Sequence, residues 1–77
     1  MNFKKYKRKE VAELREVTLK EINTGLGSLS IQSISVSNED IKSGSPKIGD
    51  MIARNPKNHN DQWLVAKKYF EENFEEL

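Results

Sequence analysis

The sequence predicts a small α+β domain: a twisted antiparallel sheet of three or four strands, a short helical turn and a C-terminal helix. Two apolar runs, Met51–Arg54 and Trp63–Val65, flank a polar segment, which is typical of a strand hairpin. Phe70, Phe74 and Leu77 have the i, i+4, i+7 spacing of one helix face. A chain of 77 residues fits one domain, 1–77, whose single core must use nearly every large apolar residue.

The N-terminal part leaves two interpretations open. A strand through residues 3–9, leading into an irregular or helical turn at Glu10–Glu16, accounts for the unevenly spaced apolar residues. The alternative is one helix from Lys9 to Ile22, because this stretch is rich in the good helix formers Glu, Ala, Leu, Arg and Lys.

The next part of the chain is predicted to be a loop followed by an irregular strand. Turn-forming residues, two glycines among them, indicate a loop at Asn23–Ser28. Over Leu29–Val36 the apolar alternation changes phase, so a single strand there needs a bulge near Gln32-Ser33. The Ser- and Gly-rich region 23–47 is a candidate for mobility.

A short helix is predicted to begin at Ser37. Ser37 and Asp40 have capping-box spacing, Gly44 can end the helix, and Pro46 prevents its continuation. Gly49-Asp50 is a turn candidate that leads into the hairpin.

The connection of the hairpin is predicted to be Asn55-Pro56 and the polar run Lys57–Asp61. Within it, Asn58 and Asn60 can adopt left-handed backbone angles at low cost.

The predicted core collects the large apolar residues of these elements: Phe3, Val11, Leu14, Ile34, Val36, Ile41, Met51, Ile52, Trp63, Val65, Phe70 and Phe74. If Phe74 is buried, its replacement by Ala is expected to cost about 3 kcal/mol.

Composition excludes several kinds of protein. The chain has no cysteine, which excludes disulfides and thiolate metal sites. It has no apolar run near the length of a membrane span, and its N-terminus lacks the apolar centre of a signal peptide. We therefore expect a cytoplasmic protein that does not enter the membrane.

Candidate catalytic and metal-binding residues are sparse. His59 is the one histidine, and its neighbours Asn58, Asn60 and Asp61 add only oxygen ligands, so a solvated loop is the favoured interpretation. Serines are abundant, yet no nucleophile elbow marks one of them. We expect a protein that is not an enzyme and that needs no metal and no cofactor.

Charge is unevenly distributed although the net charge is only +1. The basic arm contains Lys4, Lys5, Lys7, Arg8 and Lys9, and the acidic end contains Glu71, Glu72, Glu75 and Glu76. Phe3 and Tyr6 interleave with the cations, a composition that can stack on bases and contact phosphate. The same cations can instead pair with the acidic end of their own fold or of a second copy, so a homodimer is allowed.

Trp63 has two interpretations. Trp is common among the residues that dominate binding interfaces. In so small a core, a single Trp more often anchors the packing.

The chain resembles small phage and prophage proteins of the PGDYG, or YRKKP, type. The resemblance rests on Tyr6-Lys7-Arg8-Lys9-Glu10-Val11 near the start, then on Gly49-Asp50, Met51–Arg54, Trp63–Val65 and the segment from Phe70 to Phe74-Glu75. Residues Thr18–Ser43 have no counterpart, Glu10 stands where the pattern often has Pro, and the full PGDYG run is missing after Pro46. The resemblance implies a phage or prophage origin and a compact α+β domain, without an activity.

These observations predict an accessory protein that binds and blocks or sequesters a bacterial host protein, such as a defence component, in the host cytoplasm. The alternatives are a nucleic-acid-binding module that uses the basic arm, and a structural or assembly protein. The candidate partner-binding residues are Lys4, Lys5, Tyr6, Lys7, Arg8, Arg54, Asn58, His59, Trp63, Glu71, Glu72 and Glu75.

Overall fold

The structure is a computed structural model that describes residues 2–4 and 11–76. These residues form four strands and four short helices in an α+β fold, which confirms the predicted class. The elements are β1 (Glu13–Glu16), α1 (Leu19–Thr24), α2 (Leu26–Ile31), β2 (Ile34–Ser35), α3 (Asn38–Lys42), β3 (Met51–Asn55), β4 (Asn58–Val65) and α4 (Lys67–Asn73).

The strands form one sheet in the order β1-β3-β4-β2. β3 pairs antiparallel with β1 and with β4, as expected, whereas β2 pairs with β4 in parallel. No hairpin joins β2 to β4, because α3 and β3 lie between them in the chain, so a tight turn does not impose the antiparallel direction.

The register gives the sheet two different faces. Leu14, Ala53 and Trp63 are cross-strand partners on one face. The other face carries the core, which consists of Leu29, Ile34, Ile52 and Leu64 with Val17 and Val36 packed against them.

Both interpretations of the N-terminal part need revision. A continuous helix from Lys9 to Ile22 is wrong, because residues 13–16 are a strand and α1 begins only at Leu19. The predicted strand through residues 3–9 falls largely outside the described residues, and the second half of the predicted turn is β1.

A reciprocal capping box fixes the start of α1. The Thr18 hydroxyl oxygen accepts a hydrogen bond from the Glu21 amide at 3.1 Å, and the Glu21 carboxylate accepts one from the Thr18 amide at 2.9 Å. The sequence contains the Thr-x-x-Glu spacing that is typical of this capping box.

The predicted loop at Asn23–Ser28 and most of the predicted strand at Leu29–Val36 are wrong, because this region is mainly helical. α1 and α2 follow each other with a break at Gly25, whose φ is 74°. The apolar residues Ile22, Leu26 and Leu29 have helical i, i+4, i+7 spacing. The prediction of a loop gives more weight to the two glycines than to this spacing. Whether region 23–47 is mobile stays a prediction.

The short helix after Ser37 is confirmed. The Ser37 side chain accepts a hydrogen bond from the Asp40 amide at 3.2 Å. At the other end, the amide of Gly44 bonds to the carbonyl of Ile41 and the amide of Ser45 to that of Asp40, which is a Schellman motif. Gly44 has the positive φ, 93°, that this motif requires.

The hairpin is tighter than predicted. Its turn is Pro56-Lys57, and β4 already begins at Asn58. Asn58 and Asn60 do not use left-handed angles, because Ser33 is the one non-glycine residue with positive φ in the described ranges. The Asn58 side chain instead accepts a hydrogen bond from the Asn60 amide at 3.1 Å.

The core prediction is partly right. Ile34, Ile52 and Val65 are buried, as predicted. The prediction is wrong for Phe3, Val11 and Ile41, whose exposed fractions are 99%, 55% and 41%. The half-buried members are Leu14, Val36, Met51, Trp63, Phe70 and Phe74, and the buried residues that the prediction left out are Leu29, Ala53 and Leu64.

None of the helices formed by residues 2–4 and 11–76 combines the length and the apolar character needed to cross a membrane.

Candidate binding groove

A solvent-open groove of about 1070 Å³ lies between β1 and the C-terminal segment that contains α4. We call it the groove. Its lining residues are Val11, Ala12, Glu13, Leu14, Glu16, Met51, Pro56, Tyr69, Phe70, Asn73, Phe74, Glu75 and Glu76.

The floor of the groove belongs to the sheet face opposite the core. Leu14 of β1 pairs with Ala53, and Glu16 pairs with Met51, so these four residues lie on the same face. Leu14 and Met51 are half-buried and line the groove. The floor is therefore apolar.

Three aromatic rings form one wall, which we call the aromatic wall. Phe70 and Phe74 stack with ring centroids 5.9 Å apart, and Tyr69 tilts against Phe74 at 6.2 Å. Phe74 is not a helical residue but the extended C-cap of α4, and its amide bonds to the Phe70 carbonyl at 3.0 Å. Leu77, the third residue of the predicted helix face, lies outside the described residues.

Four carboxylates line the rim: Glu13, Glu16, Glu75 and Glu76. All four are exposed. Glu13 is paired with Arg54, Nε to Oε1 2.8 Å, whereas Glu16, Glu75 and Glu76 form no ion pair with any residue in the described part of the chain. The described part of the rim is therefore acidic.

Asp50 fixes the start of α4, which carries one wall of the groove, to the turn before β3. Its side chain is fully buried, and one oxygen accepts hydrogen bonds from the Ser45 hydroxyl at 2.6 Å and the Lys47 amide at 3.0 Å. The other oxygen accepts from the Lys67 amide at 3.0 Å. Since Asp50 directly precedes β3 and Lys67 opens α4, one carboxylate sets the helix against the strand.

The turn before Asp50 confirms the predicted Gly49-Asp50 turn. The Asp50 amide bonds to the Lys47 carbonyl at 3.0 Å, and Gly49 has a φ of 95°. A Cβ on Gly49 would stand 2.5 Å from Cδ of Lys67, so the turn also lies close against the start of α4.

A second polar cluster lies at the hairpin end of the sheet. Asn55 pairs with Asn58 and Arg54 with Gln62, so the segment 59–61 of β4 has no partner on β3 and forms a bulge where the register shifts. His59 lies in this bulge, with Nε2 3.5 Å from Oε1 of Glu13. Glu13 thereby brings together Arg54 and His59, two predicted site residues.

This cluster offers no metal centre. No group of three or more His, Cys, Asp or Glu side chains suited to a metal ion occurs within residues 2–4 and 11–76. Arg54, His59 and Glu13 are all about half exposed, which favours a solvated ionic cluster over a catalytic site.

An ion pair between the exposed Arg15 and the buried Glu21 stabilises the opposite end of β1. The Arg15 guanidinium donates two hydrogen bonds to the Glu21 carboxylate, both at 2.9 Å, and Gln32 donates a third at 2.8 Å. The hydrogen bond from Arg15 is the main cause that lowers the pKa of Glu21 to about 2, against the desolvation that opposes it. The same contact raises the pKa of Arg15. These groups join β1 to the α1–α2 layer.

The predicted partner-binding residues do not form one surface. Lys5, Tyr6, Lys7 and Arg8 lie outside the described residues, and Lys4 is exposed. Arg54, Asn58 and His59 belong to the hairpin end, and Trp63 is half-buried on the sheet as the partner of Ala53. Glu71 and Glu72 are exposed on α4 away from the groove lining, whereas Glu75 lies on its rim.

Most of the groove was missed at the level of sequence. Leu14, Met51, Phe70 and Phe74 were assigned to the core, and their spacing contains nothing that separates a core face from a half-open one. The exposed Tyr69 beside Phe70 is the sequence signal that could have pointed to a surface.

No protein-family model matches the chain, and the comparisons with curated proteins and with solved structures likewise find no match.

Proposed function

We propose that this chain is a small non-enzymatic accessory protein of phage type that binds a bacterial host protein through the groove and thereby blocks or sequesters it. A defence component of the host is a candidate target, since the resemblance to the PGDYG group implies a phage or prophage origin. The host cytoplasm is the proposed place of action.

The observation that carries the proposal is the aromatic wall beside an apolar floor. Tyr69 is 59% exposed at the edge of the groove, next to the stacked pair Phe70 and Phe74. Partly exposed aromatic side chains in a concave apolar surface are typical anchors for a protein partner. The described residues around them provide no nucleophile–base pair, so recognition is better supported than catalysis.

The acidic rim supports a protein partner over nucleic acid. Glu16, Glu75 and Glu76, which have no ion-pair partner within residues 2–4 and 11–76, place negative charge around the groove, and negative charge repels phosphate. The basic arm that would contact nucleic acid consists largely of residues outside the described part of the chain.

The test is affinity capture from a bacterial lysate with nuclease and a salt series, comparing the wild type with two matched variants. Tyr69→Ser removes an exposed apolar side chain from the groove, and Ile48→Ser removes one, 77% exposed, elsewhere. We expect one protein to be retained at high salt by the wild type and by Ile48→Ser, and to be lost with Tyr69→Ser.

Three outcomes would contradict the proposal. Loss of all captured material after nuclease would assign the protein to nucleic-acid binding. Recovery of the bait alone, as a stable oligomer in light scattering, would favour a structural or assembly role. Equal capture by both variants would remove the groove from the interface.

A further inference from the structure

We propose that the occupant of the groove is an extended basic segment of the partner protein, with at least one apolar side chain placed against the aromatic wall. This inference rests on the proposed function and specifies the chemistry of the partner. It is carried by the charge of the rim, the position of β1 and the apolar lining.

The rim selects a cationic segment. Glu16 lies at the end of β1 and Glu75 and Glu76 follow α4, so carboxylates without an ion-pair partner among the described residues stand on both sides of the groove. Among residues 2–4 and 11–76, no Lys or Arg lines the groove. A segment with Lys or Arg side chains therefore meets opposite charge on two sides, while an acidic segment meets repulsion.

The apolar lining selects what lies between the cations. Leu14 and Met51 form the floor, and the Phe70–Phe74 pair stands beside them. A Leu, Tyr or similar side chain in the middle of the segment removes this surface from water, and exposed ion pairs alone contribute little affinity.

The extended conformation follows from the place of β1 in the sheet. β1 is an outermost strand, and β3 is its one strand partner among the described residues. An open strand edge presents backbone N–H and C=O groups that can bond to an added strand. The groove lining runs along this strand from Val11 to Glu16, a length of about 20 Å for extended chain.

In such a segment alternate side chains point to the same side. One set can therefore contact the floor and the aromatic wall while the remaining side chains stay in water. The fit requires a segment of about six to eight residues, given the length of the lined edge.

The experiment uses two synthetic peptides of about eight residues. Each carries a fluorophore, and they differ in one respect: the first alternates lysine with leucine or tyrosine, and the second has glutamate in place of each lysine. Fluorescence anisotropy with the full-length protein at physiological ionic strength measures binding of each peptide. We expect the lysine peptide to bind at least about tenfold more tightly than the glutamate peptide.

Matched charge reversals locate the site. Glu75→Lys with Glu76→Lys changes the rim, and Glu71→Lys with Glu72→Lys makes the same change in net charge on exposed residues outside the lining. The rim pair should weaken binding of the lysine peptide about tenfold, and the helix pair about twofold or less. Because all four residues are exposed, both proteins should fold, and circular dichroism checks that they do.

The inference is overturned if the two peptides bind equally or if the lysine peptide does not bind. It is also overturned if the two double variants lose the same amount of affinity for the lysine peptide. If a lysate partner still depends on Tyr69 while the peptides fail, the proposed function stands and the basic specificity falls. Light scattering of the protein alone tests whether a second copy fills the groove. If the wild type is a dimer and the Glu75→Lys, Glu76→Lys variant is a monomer, the groove is assigned to a second copy and the inference is overturned.

Discussion

At the scale of single residues, the Asp50 side chain connects two parts of the fold. Its fully buried carboxylate satisfies the Ser45 hydroxyl and the backbone amides of Lys47 and Lys67. These three donors come from the chain before β3 and from the start of α4. The side chain therefore fixes the turn at Lys47–Asp50 against the start of α4, the helix that carries the groove residues Tyr69 and Phe70.

Replacing Asp50 should destabilise the fold strongly. Asp50→Ala removes the acceptor of the Lys47 and Lys67 amides, and we expect the free energy of unfolding to fall by about 3 kcal/mol or more. Urea denaturation measures the change. Asp61→Ala is the control, since Asp61 is exposed in the bulge and should change stability by about 0.5 kcal/mol or less. Similar small effects of both changes would show that the buried carboxylate is dispensable.

Glu21 makes stability depend on acid pH. Its pKa lies at about 2 in the folded protein against an ordinary value of 4.5, chiefly because Arg15 donates hydrogen bonds to it. A carboxylate whose folded-state pKa is lowered stabilises the fold above its unfolded pKa and loses that contribution as the pH falls through the folded pKa. The contribution of Glu21 should be complete above about pH 4.5 and lost by about pH 2.

The variant Glu21→Gln checks this dependence. At pH 7 it should lower the free energy of unfolding by about 2 kcal/mol, because Arg15 and the Thr18 amide lose a charged acceptor. The difference from the wild type in urea denaturation should shrink steadily between pH 4.5 and 2. Glu71→Gln, on an exposed helix surface, is the control. A difference that is independent of pH would contradict the assignment.

At the scale of elements, the chain is most predictable where one local signal decides the structure. The Ser37 cap with Gly44 predicts α3 correctly, and the apolar runs on either side of Pro56 predict β3 and β4. Both depend on interactions within a few residues. Tertiary packing has little opportunity to override them.

Prediction failed where long-range contacts decide between alternatives. The glycine-rich stretch that becomes α2 has weak helix propensity, and its helix is fixed by Leu29, which is fully buried against Ile34, Ile52 and Leu64. Likewise β1 exists because β3 pairs with it across a long stretch of chain. Neither contact has a signature in the local sequence.

Two glycines that look alike in sequence should respond oppositely to Ala. Gly49 has a φ of 95°, so Gly49→Ala should lower the free energy of unfolding by about 1–2 kcal/mol. Gly27 lies inside α2 with nothing within 4 Å of an added Cβ, so Gly27→Ala should raise it by about 0.5–1 kcal/mol. Thermal and urea unfolding of the two variants check this, and a shift of the same sign in both would contradict the assigned backbone roles.

At the scale of the whole molecule, the sheet separates stability from recognition. One face carries the core cluster, to which α2 contributes Leu29, and the other face forms the floor of the groove. Because the groove residues are half-buried or exposed, substitutions there should affect binding more than folding. The near-neutral total charge conceals a locally acidic rim, which the sequence-level charge count could not locate.

The most direct test of the central claim is photo-cross-linking from the groove in bacterial lysate. A benzophenone amino acid is placed at position 69, which lines the groove, and in a second protein at position 48, which is exposed outside it. We predict a discrete cross-linked host protein from position 69 and none from position 48. Cross-links from position 48 alone, or the same products from both positions, would contradict the account of the groove as the binding surface.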